Sequence, residues 1–216
     1  MEHDRLAEIA ARIAHTVATI DALLGSLLAA ASDPLEVEAI TRAALERPDH
    51  LVLGAGVIRA GSRPSLSWWW RRSGEPEPLT VALEPNSLVF YDVEHRPWFL
   101  EPWRTGTLSV VGPYLDRSGT DTMVVTLTRP LPGEPPGIVG ADLALDAIFD
   151  VLVAEPAARD LGAILENSEG RIIASANPRF TMGELDRGPW RAVVTCEQLP
   201  WRLVVREAVG EAETAE

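Results

Sequence analysis

The apolar residues of the chain change from helical to strand periodicity near residue 50, and this change sets the fold class. Before it, apolar side chains recur every three or four positions over residues 3–31. The members of this apolar stripe are Leu6, Ile9, Ile13, Val17, Ile20, Leu24 and Leu27. This spacing predicts one long amphipathic helix. Ser32-Asp33-Pro34 is typical of a helix stop followed by a new cap, so a second helix is predicted from Leu35 to about Glu46.

After Leu51, short apolar or alternating runs predict β-strands. The predicted strands are Leu51 to Arg59, Ser65 to Arg72, Leu79 to Leu83, Ser109 to Leu115, Thr122 to Thr128 and Gly137 to Ala144. Short helices are predicted around Trp98 to Thr105 and over Ala144 to Ala154. The predicted order is two helices, then strands joined by long connections, then a closing helix. This order indicates an α+β sandwich with an antiparallel sheet.

A smaller β module is predicted after Glu155-Pro156. The turn sequence Asn167-Ser168-Glu169-Gly170 predicts a hairpin of residues 162–165 with 171–175. A second hairpin is predicted for residues 190–196 with 201–206. The predicted domains are therefore residues 1–155, a module at 156–208 and a disordered acidic tail at 209–216. Because about 60 residues bury little by themselves, the module is expected to pack against the main domain.

The net charge of -13, from 32 acidic and 19 basic residues, argues against binding of nucleic acid or of an acidic membrane surface. The chain begins with acidic residues rather than the basic start of a signal peptide. Asp21 lies in the middle of the least polar window, Ile13 to Ser32, where lipid would penalise its charge. We therefore expect no membrane contact and a cytoplasmic location.

No motif of a common enzyme class occurs in the sequence. It has no glycine-rich phosphate loop and no G-x-S-x-G motif, and its four histidines are scattered. The single cysteine, Cys196, cannot form an internal disulfide and is expected to be a buried hydrophobic residue. We therefore expect no metal, no cofactor and no enzymatic activity.

Groups that could bind a small zwitterion concentrate between Tyr91 and Asp142. The candidate binding groups in this segment are one cation, several aromatic rings and two carboxylates, namely Arg96, Tyr91, Trp98, Tyr114, Asp116 and Asp142. An arginine can hold a carboxylate with two parallel hydrogen bonds, and a carboxylate can accept from an ammonium group. Aromatic walls exclude water and attract cations. The alternative is that Arg96 pairs with Asp116 or Asp142 inside the fold and the aromatic residues form core.

The pattern Y-x-x-x-x-R-x-W-[FY], followed by G-P-Y-x-D and by a strand ending in G-A-D-L, resembles the Cache family of sensor domains. It is most similar to the double Cache type that binds amino acids. The pattern is carried by Tyr91 to Phe99, Gly112 to Asp116 and Gly140 to Leu143. The resemblance covers residues 1–155 well and residues 156–210 more loosely. It implies a long N-terminal helix packed on a PAS-like antiparallel sheet, followed by a truncated, membrane-proximal-like second module.

The resemblance also implies roles for individual residues. Tyr91, Arg96 and Trp98 would bind a ligand carboxylate, whereas Tyr114, Asp116 and Asp142 would bind the ligand amine. Phe99 stands where amino-acid binders usually have a tyrosine, so one hydroxyl group is missing and the ligand class stays open. Alternation along the strand turns Trp68 and Trp70 to the same face, and both are expected in the pocket wall.

We therefore expect a stand-alone soluble sensor or binding protein for an amino acid or amine. It would signal through a partner, such as a transcription regulator, with the N-terminal helix as the homodimer and output surface. The apolar stripe could pack on a partner helix or on the chain's own sheet, and both alternatives stay open. Other readings are an enzyme acting on a small amino compound, a binder of a simple amine or carboxylate, and an interaction protein with a vestigial pocket.

Overall fold

A computed structural model of the chain describes residues 1–72, 74–84, 86–88, 90–117 and 121–207. The chain forms two compact units, one made of residues 15–148 and one made of residues 1–14 with the chain from Phe149 onward. The predicted tail at 209–216 lies outside the described residues. The predicted domain boundaries at residues 155 and 208 stay predictions.

Two helices precede the strands, as the periodicity predicts. They are α1 (Glu2–Ala30) and α2 (Pro34–Leu45). Asp33 caps α2, because its carboxylate accepts hydrogen bonds from the backbone N–H groups of Leu35 and Glu36. Every residue of the apolar stripe on α1 is at most 4% exposed. The stripe therefore packs within the chain, and a homodimer through α1 stays a prediction.

By length and composition alone, α1 could also cross a membrane. It has 29 residues, and its most apolar 18-residue window has a mean hydropathy of 1.6. Of that window, 33% is buried within the chain, whereas the core helix of a soluble protein is mostly buried; α1 also lies near the N-terminus, where a signal sequence passes the same test. The expected cytoplasmic location and absence of membrane contact therefore stay predictions.

The unit of residues 15–148 contains a six-stranded antiparallel sheet in the order β3-β2-β1-β6-β5-β4. Its strands and helix are β1 (Val52–Arg59), β2 (Ser65–Arg72), β3 (Glu75–Pro78), α3 (Pro97–Thr105), β4 (Ser109–Leu115), β5 (Met123–Leu131) and β6 (Gly137–Ala144). Helix α2 packs against β1 and β2, and α3 packs mainly against β4 and β5. This arrangement confirms the expected α+β class.

The prediction of a strand at Leu79 to Leu83 is wrong. The third strand is instead Glu75–Pro78, whose sequence E-P-E-P has low strand propensity. Its prolines are tolerated because β3 is the edge of the sheet and pairs only with β2. Beyond it, Ala82 forms only an isolated parallel bridge with Phe90.

The other unit contains a four-stranded sheet in the order β8-β7-β10-β9. After α4 (Leu145–Ala154) and α5 (Pro156–Leu161) come β7 (Ile164–Asn167), β8 (Ile172–Ser175), β9 (Trp190–Thr195) and β10 (Trp201–Arg206). Both predicted hairpins are present. The fully buried Glu166 pairs with Arg202 across β7 and β10, at 2.5 Å. Cys196 is buried, as expected.

Candidate functional site

A cavity of about 30 Å³, partly open to solvent, lies on one face of the six-stranded sheet. It is lined by Ile58, Leu66, Trp68, Leu79, Tyr91, Trp98, Tyr114, Asp116, Thr126 and Asp142. The strand register explains this grouping, because directly opposed residues of antiparallel strands point to the same side of the sheet. Ile58 opposes Leu66, and Thr126 opposes Asp142.

Asp142 forms the polar floor of the cavity. It sits on β6 between Gly54 of β1 and Thr126 of β5. The Thr126 hydroxyl donates to Asp142 Oδ1 at 2.5 Å, so the Tyr114 hydroxyl, at 2.5 Å from Thr126 Oγ1, is the donor in the next hydrogen bond. Asp142 Oδ2 receives no hydrogen bond from the described residues. One oxygen of this half-buried carboxylate therefore remains open to the cavity.

The electrostatics of the cavity favour a cation. Burial raises the pKa of Asp142 to about 7, and the negative charge of Asp116 adds to the shift, while the hydrogen bond from Thr126 opposes it. Burial and Asp142 also raise the pKa of Tyr114 above its ordinary value, so this residue stays a neutral donor. No arginine or histidine of the described chain lines the cavity. The Asp142 carboxylate therefore has no basic lining residue beside it.

The indole of Trp68 lies close to the glycines of β1 and β6. A Cβ atom on Gly54 would come within 2.7 Å of Trp68 Nε1, and one on Gly140 within 3.2 Å of Trp68 Cη2. Any larger residue at Gly54 would therefore displace the ring, because real Cβ contacts are not this short. The glycines of β1 and β6 allow the ring to lie across the strands beside Asp142.

Helix α3 is fixed over the sheet by two side-chain hydrogen bonds. The buried Thr128 hydroxyl donates to the carbonyl oxygen of Trp98 at 2.8 Å. The Trp103 indole N–H donates to the carbonyl oxygen of Gly137 at 2.9 Å. These bonds hold Trp98, which is 7% exposed, as one wall of the cavity.

Replacing Thr128 with valine is expected to destabilise the protein by about 1–3 kcal/mol, because the Trp98 carbonyl then loses its buried donor. Urea denaturation measures the change. Thr107→Val, at an exposed position, is the matched control and should change the free energy of unfolding by about 0.5 kcal/mol or less. Equal effects of the two substitutions would show that the Thr128 bond does not hold α3.

The structure brings six of the nine predicted site residues to this cavity: Trp68, Tyr91, Trp98, Tyr114, Asp116 and Asp142. Arg96 is exposed and outside the lining. Its Nε donates to the carbonyl oxygen of Asp92 at 3.1 Å, and its guanidinium lies 5.2 Å from the ring centre of Tyr91. Arg96 thus forms no ion pair with Asp116 or Asp142, which was the alternative to a binding site.

Phe99 and Trp70 also lie outside the lining. Phe99 is 5% exposed and packs edge-on against Trp98, with ring centres 6.5 Å apart. Trp70 shares its sheet face with Trp68, as the alternation predicts, but lies one residue pair further along β2, opposite Gly54. The structure therefore gives Phe99 a packing contact behind the wall, rather than a place in it.

The sequence reasoning did not identify Thr126, which links Tyr114 to Asp142. Its position became evident only from the β5–β6 register, which places it directly across from Asp142. The sequence reasoning also did not identify the apolar lining residues Ile58, Leu66 and Leu79. Strand alternation on β1 and β2 was the signal that could have found the first two.

No protein-family model matches the sequence. Solved structures with the same fold include the ligand-binding domain of the Pseudomonas aeruginosa PAO1 amino acid chemoreceptor PctB in complex with L-Arg, at 17% identity and a TM-score of 0.63, covering 98% of this chain and 96% of that one. The corresponding domain of the Pseudomonas fluorescens chemoreceptor CtaA, in complex with L-valine, has 16% identity and a TM-score of 0.64, covering 96% and 95%.

A third structure with this fold is the ligand-binding domain of the P. aeruginosa PAO1 amino acid chemoreceptor PctC in complex with GABA. It has 14% identity and a TM-score of 0.65 and covers 94% of this chain and 96% of that one. At such identities the likeness establishes the fold. The chain has the fold of Cache-type chemoreceptor ligand-binding domains, as its sequence pattern predicts.

Proposed function

We propose that this Cache-fold chain is a sensor or binding domain for a small ammonium compound, and that the ligand is an amino acid or a closely related zwitterion. One observation carries the proposal: Asp142 presents an open oxygen to an aromatic cavity whose lining, within the described residues, contains no arginine or histidine. A half-buried carboxylate in such surroundings is costly to ionise without a cation. A ligand ammonium would provide that cation.

The ammonium group would lie between Asp142 and Asp116, the two carboxylates of the lining. The Thr126–Asp142 hydrogen bond fixes the orientation of the Asp142 carboxylate, which keeps Oδ2 directed to the cavity. The rings of Tyr91, Trp98 and Tyr114 would surround the ligand and favour its positive charge. This arrangement would select for a positive charge, and the apolar part of the ligand would contact Ile58, Leu66 and Leu79.

A ligand carboxylate would be held at the Tyr91 side of the cavity. The indole N–H of Trp98 makes no hydrogen bond to the described residues and could donate to it. Arg96 already lies over the Tyr91 ring, so rotation of its side chain would bring the guanidinium to the cavity mouth. The chemoreceptor domains of this fold that are complexed with L-Arg, L-valine and GABA support a ligand with both charges.

The chain would pass on ligand binding by contacting a partner protein, such as a transcription regulator. The chemoreceptor domains with this fold support a role in signalling rather than storage. Ligand binding would act by favouring one of two arrangements of the chain or of its partner.

A thermal-shift screen tests the proposed function. The panel consists of the twenty L-amino acids at millimolar concentration, the amines formed by their decarboxylation, and the carboxylic acids that lack the amine. We expect at least one ammonium compound to raise the melting temperature and the simple acids to have no effect. If no compound raised the melting temperature, or if only the simple acids did, the proposed function would be contradicted.

Replacing Arg96 with alanine is expected to lower the affinity for amino acids about 10- to 100-fold, because a charge-assisted pair with the ligand carboxylate is lost. The affinity for the corresponding decarboxylated amines should change by about twofold or less. Titration calorimetry measures both affinities, and Arg63→Ala, at another exposed arginine, is the control. An equal loss for amino acids and amines would show that Arg96 does not bind the carboxylate.

A further inference from the structure

We propose that Trp68 determines specificity, because its indole N–H selects ligands that carry an oxygen acceptor close to the ammonium group. The inference rests on the proposed function and deepens it. Trp68 is 6% exposed and lines the cavity. Its indole N–H makes no hydrogen bond to any described residue. The N–H of this lining residue is therefore available to an oxygen acceptor supplied by a ligand in the cavity.

The position of the donor is fixed relative to Asp142. Trp68 Nε1 and Asp142 Oδ2 lie 2.7 Å and 3.5 Å, respectively, from one point above Gly54, where a Cβ atom would stand. Gly54 leaves this point empty, and the absence of side chains at Gly54 and Gly140 leaves room for the ring. One donor and one acceptor, both from residues that line the cavity, therefore lie near the same point above Gly54.

The two groups demand different ligand atoms. An indole N–H can only donate, so its partner is an oxygen of a carboxylate, carbonyl or hydroxyl group. The ionised Asp142 can only accept, so its partner is the ammonium group. α-Amino acids and amino alcohols carry both atoms within a few bonds of one another. A plain alkylamine would satisfy Asp142 and leave the Trp68 donor unpaired, which penalises its binding.

The test compares Trp68→Phe with the wild-type full chain. Titration calorimetry measures the affinities for the twenty L-amino acids and for the amines formed by their decarboxylation. For the amino acid that binds best, we expect a fivefold to tenfold loss in Trp68→Phe, and for its amine a loss of about twofold or less. Trp69→Phe is the matched control, because Trp69 is also buried but points to the opposite face of β2. It should leave the ratio of the two affinities unchanged.

A spectroscopic measurement on the wild-type chain does not depend on folding of the variant. In tryptophan-labelled protein, the Trp68 indole N–H resonance can be assigned by its proximity to Gly54. It should move downfield with the amino acid and far less with the amine. Equal affinity losses for the amino acid and its amine, or an unmoved resonance, would overturn the proposed role of Trp68 and leave the proposed function intact. If the wild type binds neither class, the proposed function itself fails.

Discussion

Replacing Asp142 with asparagine is expected to abolish the binding of ammonium ligands while leaving the chain folded. Asparagine has nearly the same shape, so it can still accept the Thr126 hydrogen bond but carries no charge. Losing one partner of a partly buried charge pair costs about 2–5 kcal/mol, which corresponds to a loss in affinity of about 30-fold to several thousandfold. Calorimetric titration with the amino compound that stabilises the wild type most would measure this loss.

The same substitution is expected to stabilise the protein without ligand. At pH 8 the ionised Asp142 is poorly solvated, as its raised pKa shows, and asparagine removes this cost. The melting temperature of the ligand-free protein should therefore rise by a few degrees. Asp150→Asn, at an exposed position on α4, is the control and should change neither property. Unchanged affinity in Asp142→Asn would show that this carboxylate does not bind the ligand.

Affinity for an ammonium ligand is expected to fall when the pH drops below about 7. The pKa of Asp142 is raised from 3.8 to about 7 by burial and by Asp116, so the carboxyl group takes up a proton in this range. A protonated carboxyl cannot neutralise an ammonium group, and the affinity should fall about tenfold for each further pH unit. Most amino acids and amines keep their ammonium group over this range, so Asp142 sets the dependence.

The stability of the ligand-free protein should have the opposite dependence. Because the pKa of Asp142 is higher in the folded than in the unfolded chain, the contribution of this group is fully present below pH 3.8 and is lost as the pH rises through about 7. Titrations from pH 5.5 to pH 8.5 test both trends. Asp142→Asn should remove this component of both curves. A flat affinity profile in the wild type would contradict the assigned role of Asp142.

The helices and most strands were predictable because they depend on local pattern. The apolar stripe of α1 has helical spacing, and Asp33 before Pro34 is a strong cap signal, so both helices were found within a few residues. The third strand was missed because E-P-E-P contradicts strand propensity. It forms at the sheet edge, where its prolines are tolerated, and the position of a strand within a sheet is not encoded locally.

The polar part of the cavity was also predictable, because Tyr114 and Asp142 lie on two strands that share a neighbour and Asp116 follows the first of these strands. What the sequence could not provide is the register between strands. Thr126 lies opposite Asp142 only because of that register. The proximity of the Trp68 ring to Gly54 was likewise not evident from the sequence. Rotamer choice was equally hidden, since Arg96 turns onto Tyr91 instead of into the cavity.

The most direct test of the account compares each L-amino acid with the L-2-hydroxy acid that differs only by a hydroxyl group in place of the ammonium group. Affinities measured by calorimetry on the full chain at pH 8 isolate the contribution of the ligand's positive charge. The account predicts binding of at least one amino acid and a loss of about 100-fold or more for its hydroxy acid, a loss that Asp142→Asn removes. Equal binding of the two compounds would contradict the claim that Asp142 forms an ammonium site.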